Sequence, residues 1–120
     1  DLRLPLTVHM LPTVREPDGL AMSSRNTSLT PSQRAQATVL YRALRAARAR
    51  IRSGERRAGP LLQQMRRLIH RARDARVDYA AIVDAGTLAP QARLRGRVAI
   101  LLAVWIGRTR LIDNFLVDVS

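Results

Sequence analysis

The sequence predicts an α+β domain: two helices packed on a small three-stranded antiparallel sheet, preceded by an extended strand and a polar loop. Three observations carry that prediction. Between Thr30 and Arg73, apolar residues recur every three or four positions in two separate stretches. After Arg76 the period changes to two. Gly107-Arg108 then separates two strand-like runs, the spacing of a tight hairpin.

The entry, Asp1 to Arg15, alternates Leu2, Leu4 and Leu6, and Pro5 and Pro12 prevent a continuous helix. A domain opening in mid-sheet leads us to expect a preceding part. Glu16-Pro17-Asp18-Gly19 is turn chemistry, since Gly tolerates positive φ and Asp bonds its own backbone. The run Ser23-Ser24-Arg25-Asn26-Thr27-Ser28 has no apolar residue, so its order must come from its own backbone bonds, a partner or a ligand.

Thr30, Pro31 and Gln33 form a helix-start signal of N-cap, first-turn proline and capping-box partner. Ala37, Leu40, Leu44, Ala47 and Ile51 give that helix one apolar face as far as Ser53-Gly54. Gly59-Pro60 opens a second helix with Leu61, Leu62, Met65, Leu68, Ile69 and Ala72 inward, and Gln63, Arg66, Arg67 and Arg73 outward. In the first strand, alternation places Val77, Tyr79, Ala81 and Val83 on one face and Asp78, Ala80, Ile82 and Asp84 on the other. Ala85-Gly86-Thr87 turns the chain and Leu88 to Gly96 is an irregular connection. Val98 to Ile106 is a buried strand, paired across the hairpin with Thr109 to Val117.

The 120 residues include 47% apolar types, enough for one core. There is no cysteine, which excludes disulfides and thiolate metal sites. His9 and His70 are far apart, and a histidine metal site needs more partners. No apolar run approaches the ~20 residues that span a bilayer, and the first residues lack signal-peptide order. The expectation is a soluble, cytoplasmic domain.

All 21 basic residues are arginine against 9 acids, a net charge of +12. Either a coding bias toward arginine or selection for guanidinium chemistry would give this composition; the many arginines at ordinary helix-surface positions favour the bias, and so basic a chain leaves polyanions open as partners. Arg42, Arg45, Arg48 and Arg52 form a stripe beside the apolar helix face, extended by Arg56-Arg57. It reads either as a solvated surface or as a phosphate tracker in a nucleic-acid or interaction module. Aromatics at 3% supply almost no base-stacking platform, which favours the first. Asp84, Asp113 and Asp118 show no carboxylate-pair spacing, and Trp105 and Tyr79 read as packing residues.

The loop from Asp18 to Asn26 is the main chemical candidate. Ser23 and Ser24 hydroxyls, backbone N–H groups and the Arg25 fork suit a phosphate chain. The same residues also read as an ordinary polar loop ending at a helix cap. Nothing in the loop is a proton-transfer dyad, so its chemistry is charge stabilisation.

The segment Pro12-Thr13-Val14-Arg15-Glu16-Pro17-Asp18-Gly19-Leu20-Ala21-Met22-Ser23-Ser24-Arg25-Asn26 closely resembles the pantothenate synthetase (pantoate–β-alanine ligase) family. So does Gly107-Arg108-Thr109-Arg110-Leu111-Ile112-Asp113-Asn114, in the order expected for that family's C-terminal domain. The resemblance implies a ligase of pantothenate biosynthesis, in the coenzyme A pathway. ATP and pantoate give pantoyl adenylate and pyrophosphate; β-alanine then releases AMP. Met22-Ser23-Ser24-Arg25 resembles the KMSKS loop of class I aminoacyl-tRNA synthetases.

By that resemblance residues 12–28 are the ATP-binding segment, and Ser23, Ser24 and Arg25 hold the phosphates. Met22 belongs with them, the Val14 backbone meets the adenine, and Arg25 stabilises the transition state. Ala21 replaces the early lysine of the synthetase loop, so Arg25 is the loop's only cation after Arg15. Mg²⁺ would accompany ATP without a ligand from these residues. The family's HIGH-like motif and its pantoate and β-alanine pockets lie on a Rossmann-type N-terminal domain, and neither histidine here has the HxGH context. The expectation is therefore a C-terminal lid domain over residues 1–120, inactive alone, from a family whose members are homodimers.

Overall fold

The computed structural model describes residues 14–119, so His9 and all but the last two residues of the expected extended entry, Asp1 to Arg15, lie outside the described residues. The order is a 3-10 turn over Ser24–Ser28, then α1 (Pro31–Gln36), α2 (Val39–Arg52), α3 (Ala58–Ile69), β1 (Ala75–Asp84), β2 (Gly96–Ile106) and β3 (Thr109–Val119). The strands form one antiparallel sheet in the order β1-β2-β3.

The capping box at Thr30 is present. Its hydroxyl accepts from the Gln33 N–H at 3.1 Å, and the Gln33 side chain accepts from the Thr30 N–H at 3.1 Å. The helix it starts is interrupted at Ala37 and Thr38, which divides it into α1 and α2. Both residues keep helical φ but have ψ near −20° and −13°, and the Thr38 hydroxyl donates to the Ala35 carbonyl at 3.0 Å. A side chain that competes for a backbone carbonyl in this way bends a helix. The apolar face survives the bend, with Ala37, Leu40, Leu44, Ala47 and Ile51 all buried.

Leu61, Met65 and Ile69 of α3 meet that face and, with it, cover Val98, Ile100, Leu102, Val104 and Ile106 of β2. β2 lies between two partners and is buried along nearly its whole length, which explains its continuous apolar run. The hairpin turns through Gly107 at φ +61°, with Ile106 opposite Thr109. Glycine at the first central position is what a II′ turn requires.

Strict alternation in β1 is corrected by a bulge. Val77 faces Val104 and Tyr79 faces Ala103, so Asp78 is an extra residue with no partner on β2. One inserted residue reverses the phase of everything after it. Val77, Ala80 and Ile82 therefore pack toward the helices, whereas Tyr79, Ala81 and Val83 pack on the opposite face with Ala99, Leu101 and Leu116.

Candidate functional site

Residues 14–26 of the first family-like segment lie beside the second. The loop doubles back on itself: Arg15 bridges Ala21, and the Met22 N–H donates to the Val14 carbonyl at 2.9 Å. Gly19, at φ +96°, lies on the ring of Tyr41, where a Cβ would collide with the ring atoms. Leu20, beside it, is buried in the core.

Arg15 fastens this hairpin-like loop to β3. Its guanidinium donates to both oxygens of Asp113, at 2.6 and 2.9 Å, and to the Gly19 carbonyl at 3.0 Å. The same group lies 5.0 Å from the centroid of Tyr41 and 5.1 Å from that of Phe115. Asp113 is only 3% exposed. A buried carboxylate is tolerated where a bidentate cation and further donors meet it, and here the Asn114 N–H adds a bond at 2.7 Å. In the sequence Arg15 and Asp113 belong to the two separate family-like segments, and nothing there pairs them. Their separation of 98 positions hides the pairing from any local pattern.

The far end of the loop is held more lightly. Ser23 caps the 3-10 turn, its Oγ accepting from the Arg25 N–H at 3.1 Å. The Asn26 side-chain amide donates to the Ala21 carbonyl, and the Thr27 hydroxyl to the Ser24 carbonyl. Arg25 is exposed and donates to the Arg110 carbonyl of β3 at 3.4 Å, a long bond to a neutral acceptor. Arg34 of α1 braces the turn before it by a paired contact with Asp18, whose carboxyl that guanidinium holds below its ordinary range.

Between loop and strand lies a recess of about 240 Å³ lined by Ala21, Met22, Ser23, Arg25, Arg110 and Ile112, among others. Val14, at 69% exposed, and Met22, at 54%, are uncovered apolar side chains, as is Ile112 at 38%. Of the residues expected at the site, Met22, Ser23 and Arg25 line this recess; Val14 is joined to Met22 through the backbone bond, and Ser24 lies exposed in the turn without lining it. Ile112, on the strand side, was not anticipated; only its place in the second resembling segment hints at it. Such a site offers apolar surface for a flat ring beside hydroxyls, N–H groups and one guanidinium for an anion.

The arginine stripe divides. Arg45 lies 5.6 Å from the Tyr41 centroid and Arg48 4.5 Å from that of Phe115. Burial, then the charges of Arg52, Arg45 and Arg15, push the Arg48 guanidinium below its usual pKa. Arg42 and Arg52 are exposed, as is His70 at the end of α3. Among the described residues no cluster of three His, Asp or Glu side chains could hold a metal ion, and no helix is long and apolar enough to cross a membrane.

A small α+β domain with a Met-Ser-Ser-Arg turn latched to its last strand is the architecture reached so far, and comparisons with known proteins agree on its kin. The model of the pantoate-beta-alanine ligase family matches residues 1–116, and the chain belongs to that family. It is 48% identical over 120 residues to a pantothenate synthetase of Moorella thermoacetica and 50% identical over 114 residues to one of Syntrophotalea carbinolica. Those alignments take in 100% and 95% of this chain but 42% and 40% of the relatives, so the chain spans about two fifths of their length. The crystal structure of the pantothenate synthetase from Thermus thermophilus superposes with a TM-score of 0.81 at 40% identity, over 88% of this chain and 38% of that one.

Proposed function

We propose that this chain is the C-terminal, ATP-binding lid of a pantoate–β-alanine ligase, closing on a nucleotide whose other contacts come from a Rossmann-type N-terminal domain. The observation that carries the reading is the joining of the two family-like segments around one recess lined by Met22, Ser23 and Arg25 on one side and Arg110 to Asp113 on the other, with Ser24 in the exposed turn beside it. The rim is suited to charge that moves onto a leaving group. A pantoate carboxylate oxygen attacks the α-phosphorus, the bond to the β-phosphate bridging oxygen breaks, and negative charge collects on departing pyrophosphate. Arg25, held only by a long bond, is able to swing to that charge. The Ser23 oxygen accepts from the Arg25 N–H, so its own proton remains available to a phosphate oxygen.

Stabilisation that grows as charge develops accelerates the step; binding substrate and transition state equally would not. In the second half-reaction the β-alanine amine attacks the acyl carbon of pantoyl adenylate and AMP leaves. Pantoate and β-alanine are assigned to the partner domain, and this chain acts on the nucleotide. Mg²⁺ enters with ATP on the phosphate oxygens. The Val14 backbone and the apolar Met22 side chain border the adenine. A cytoplasmic homodimer, pairing through the other domain, is the assembly that the resemblance implies.

The test is Arg25→Ala in this chain joined to its N-terminal half. Adenylation, read as pyrophosphate release, should fall at least about tenfold. Unchanged adenylation would remove the assigned role. The 120-residue chain by itself should bind ATP weakly and make no pantothenate, and tight binding would contradict the division of the site.

A further inference from the structure

We propose that Arg15 and Asp113 form a positioning pair that presets the Met22–Arg25 segment for its anion, an assignment that rests on the nucleotide reading above. Both ends of the loop are indexed to one short piece of β3. Arg15 grips Asp113 through two bonds, and Arg25 reaches the carbonyl of Arg110. On a strand rising about 3.3 Å per residue, those two anchor points lie roughly 10 Å apart. The Arg15–Ala21 bridge and the Val14–Met22 bond pass the position of Arg15 directly to the residues that open the phosphate-facing turn.

Arg15 is fixed far beyond what holding a surface loop requires. It donates to a buried carboxylate, donates to the Gly19 carbonyl within its own loop, and is stacked by Tyr41 and Phe115, whose rings meet edge to face at 5.8 Å. Lysine could supply the charge but neither the fork nor the flat stacking surface. A loop whose donors must meet an anion within a few tenths of an ångström gains from such a support, because misplacement by about 1 Å is expensive. Arg15 touches no phosphate in this scheme; it acts through the backbone it orients.

The experiment uses the 120-residue chain, ¹⁵N-labelled, as wild type, Asp113→Asn and Arg15→Lys, titrated with inorganic pyrophosphate. The asparagine variant keeps the shape and one acceptor, and the lysine variant keeps the charge, so the fold has two separate chances to survive. The expected result has three parts. Amides of β2 and β3 away from Asp113 stay in place, those of Ala21 to Thr27 move before any ligand is added, and pyrophosphate binding weakens roughly tenfold. A folded variant with an unmoved loop and wild-type affinity would overturn the proposal, as would unfolding of both variants, which would mark the pair as purely structural. A wild-type chain whose Ser23–Arg25 amides ignore pyrophosphate would count against the nucleotide reading itself. In that case the ligand-free loop amides alone decide the positioning role, which is sustained if they are displaced and overturned if they are not.

Discussion

Arg15 and Arg25 stand ten residues apart in one loop and carry the same cation, yet the fold treats them in contrary ways. The first lies about 5 Å from the centroids of two rings and is bound to a buried carboxylate. The second is exposed and holds one long bond to a neutral carbonyl. The contrast teaches where rigidity is useful in an anion-binding loop. Fixing the base costs little, since aromatic and ionic contacts offset desolvation there. Fixing the tip would oppose its task, because a guanidinium already saturated by protein acceptors gains less from a developing negative charge.

The contrast is broken first by asking what each end contributes to folding. Asp113→Ala strands the Arg15 charge beneath the loop, and breaking one side of such a pair costs about 3 kcal/mol. Urea unfolding of this variant should show that loss, whereas Arg25→Ala should stay within about 0.5 kcal/mol of wild type. Equal losses at the two positions would erase the distinction between base and tip.

Gly19 sharpens the same comparison from the loop side. Its φ of +96° and its contact with Tyr41 leave no room for a side chain. Gly19→Ala adds backbone strain and pushes on the ring that stacks Arg15, and about 2 kcal/mol of stability should be lost. Gly54→Ala is the control, since it shares a positive φ of +118° but has open space around it. It should cost less, and the difference between the two denaturation midpoints measures the ring contact.

Much of this arrangement could be read before any coordinates. The capping box at Thr30, the hairpin at Gly107 and the apolar faces of the helices rest on neighbours close in sequence, so local pattern reveals them. What local pattern missed was set by contacts distant in sequence or by one-residue irregularities. The bend at Ala37 and Thr38 lies inside an unbroken apolar period, and the Asp78 bulge reverses strand faces without changing composition. Within the site, Ser23, Ser24 and Arg25 were visible as a polar run, but their support was not. Arg15 and Asp113 are brought together only by the tertiary fold, and a pair of opposite charges in a chain with 21 arginines gives no reason to choose that partner.

The smallest expected effect concerns the outer brace of the loop, Asp18 with Arg34. The Arg34 hydrogen bond is the main cause of the lowered Asp18 pKa, with desolvation opposing it and the Leu20 N–H assisting. A carboxylate whose folded pKa lies below its unfolded value of about 3.9 binds fewer protons when folded. Its contribution to stability is therefore complete above that value and disappears as pH falls through the lowered one. Stability of wild type minus that of Arg34→Gln should be positive near neutrality and shrink toward zero in strong acid. Both side chains are substantially solvent-exposed, so the difference should also diminish in about 1 M salt. A difference independent of both pH and salt would mean that Arg34 braces the loop by packing rather than by charge, and the ion pair at Arg15 would then be the loop's one electrostatic anchor among these residues.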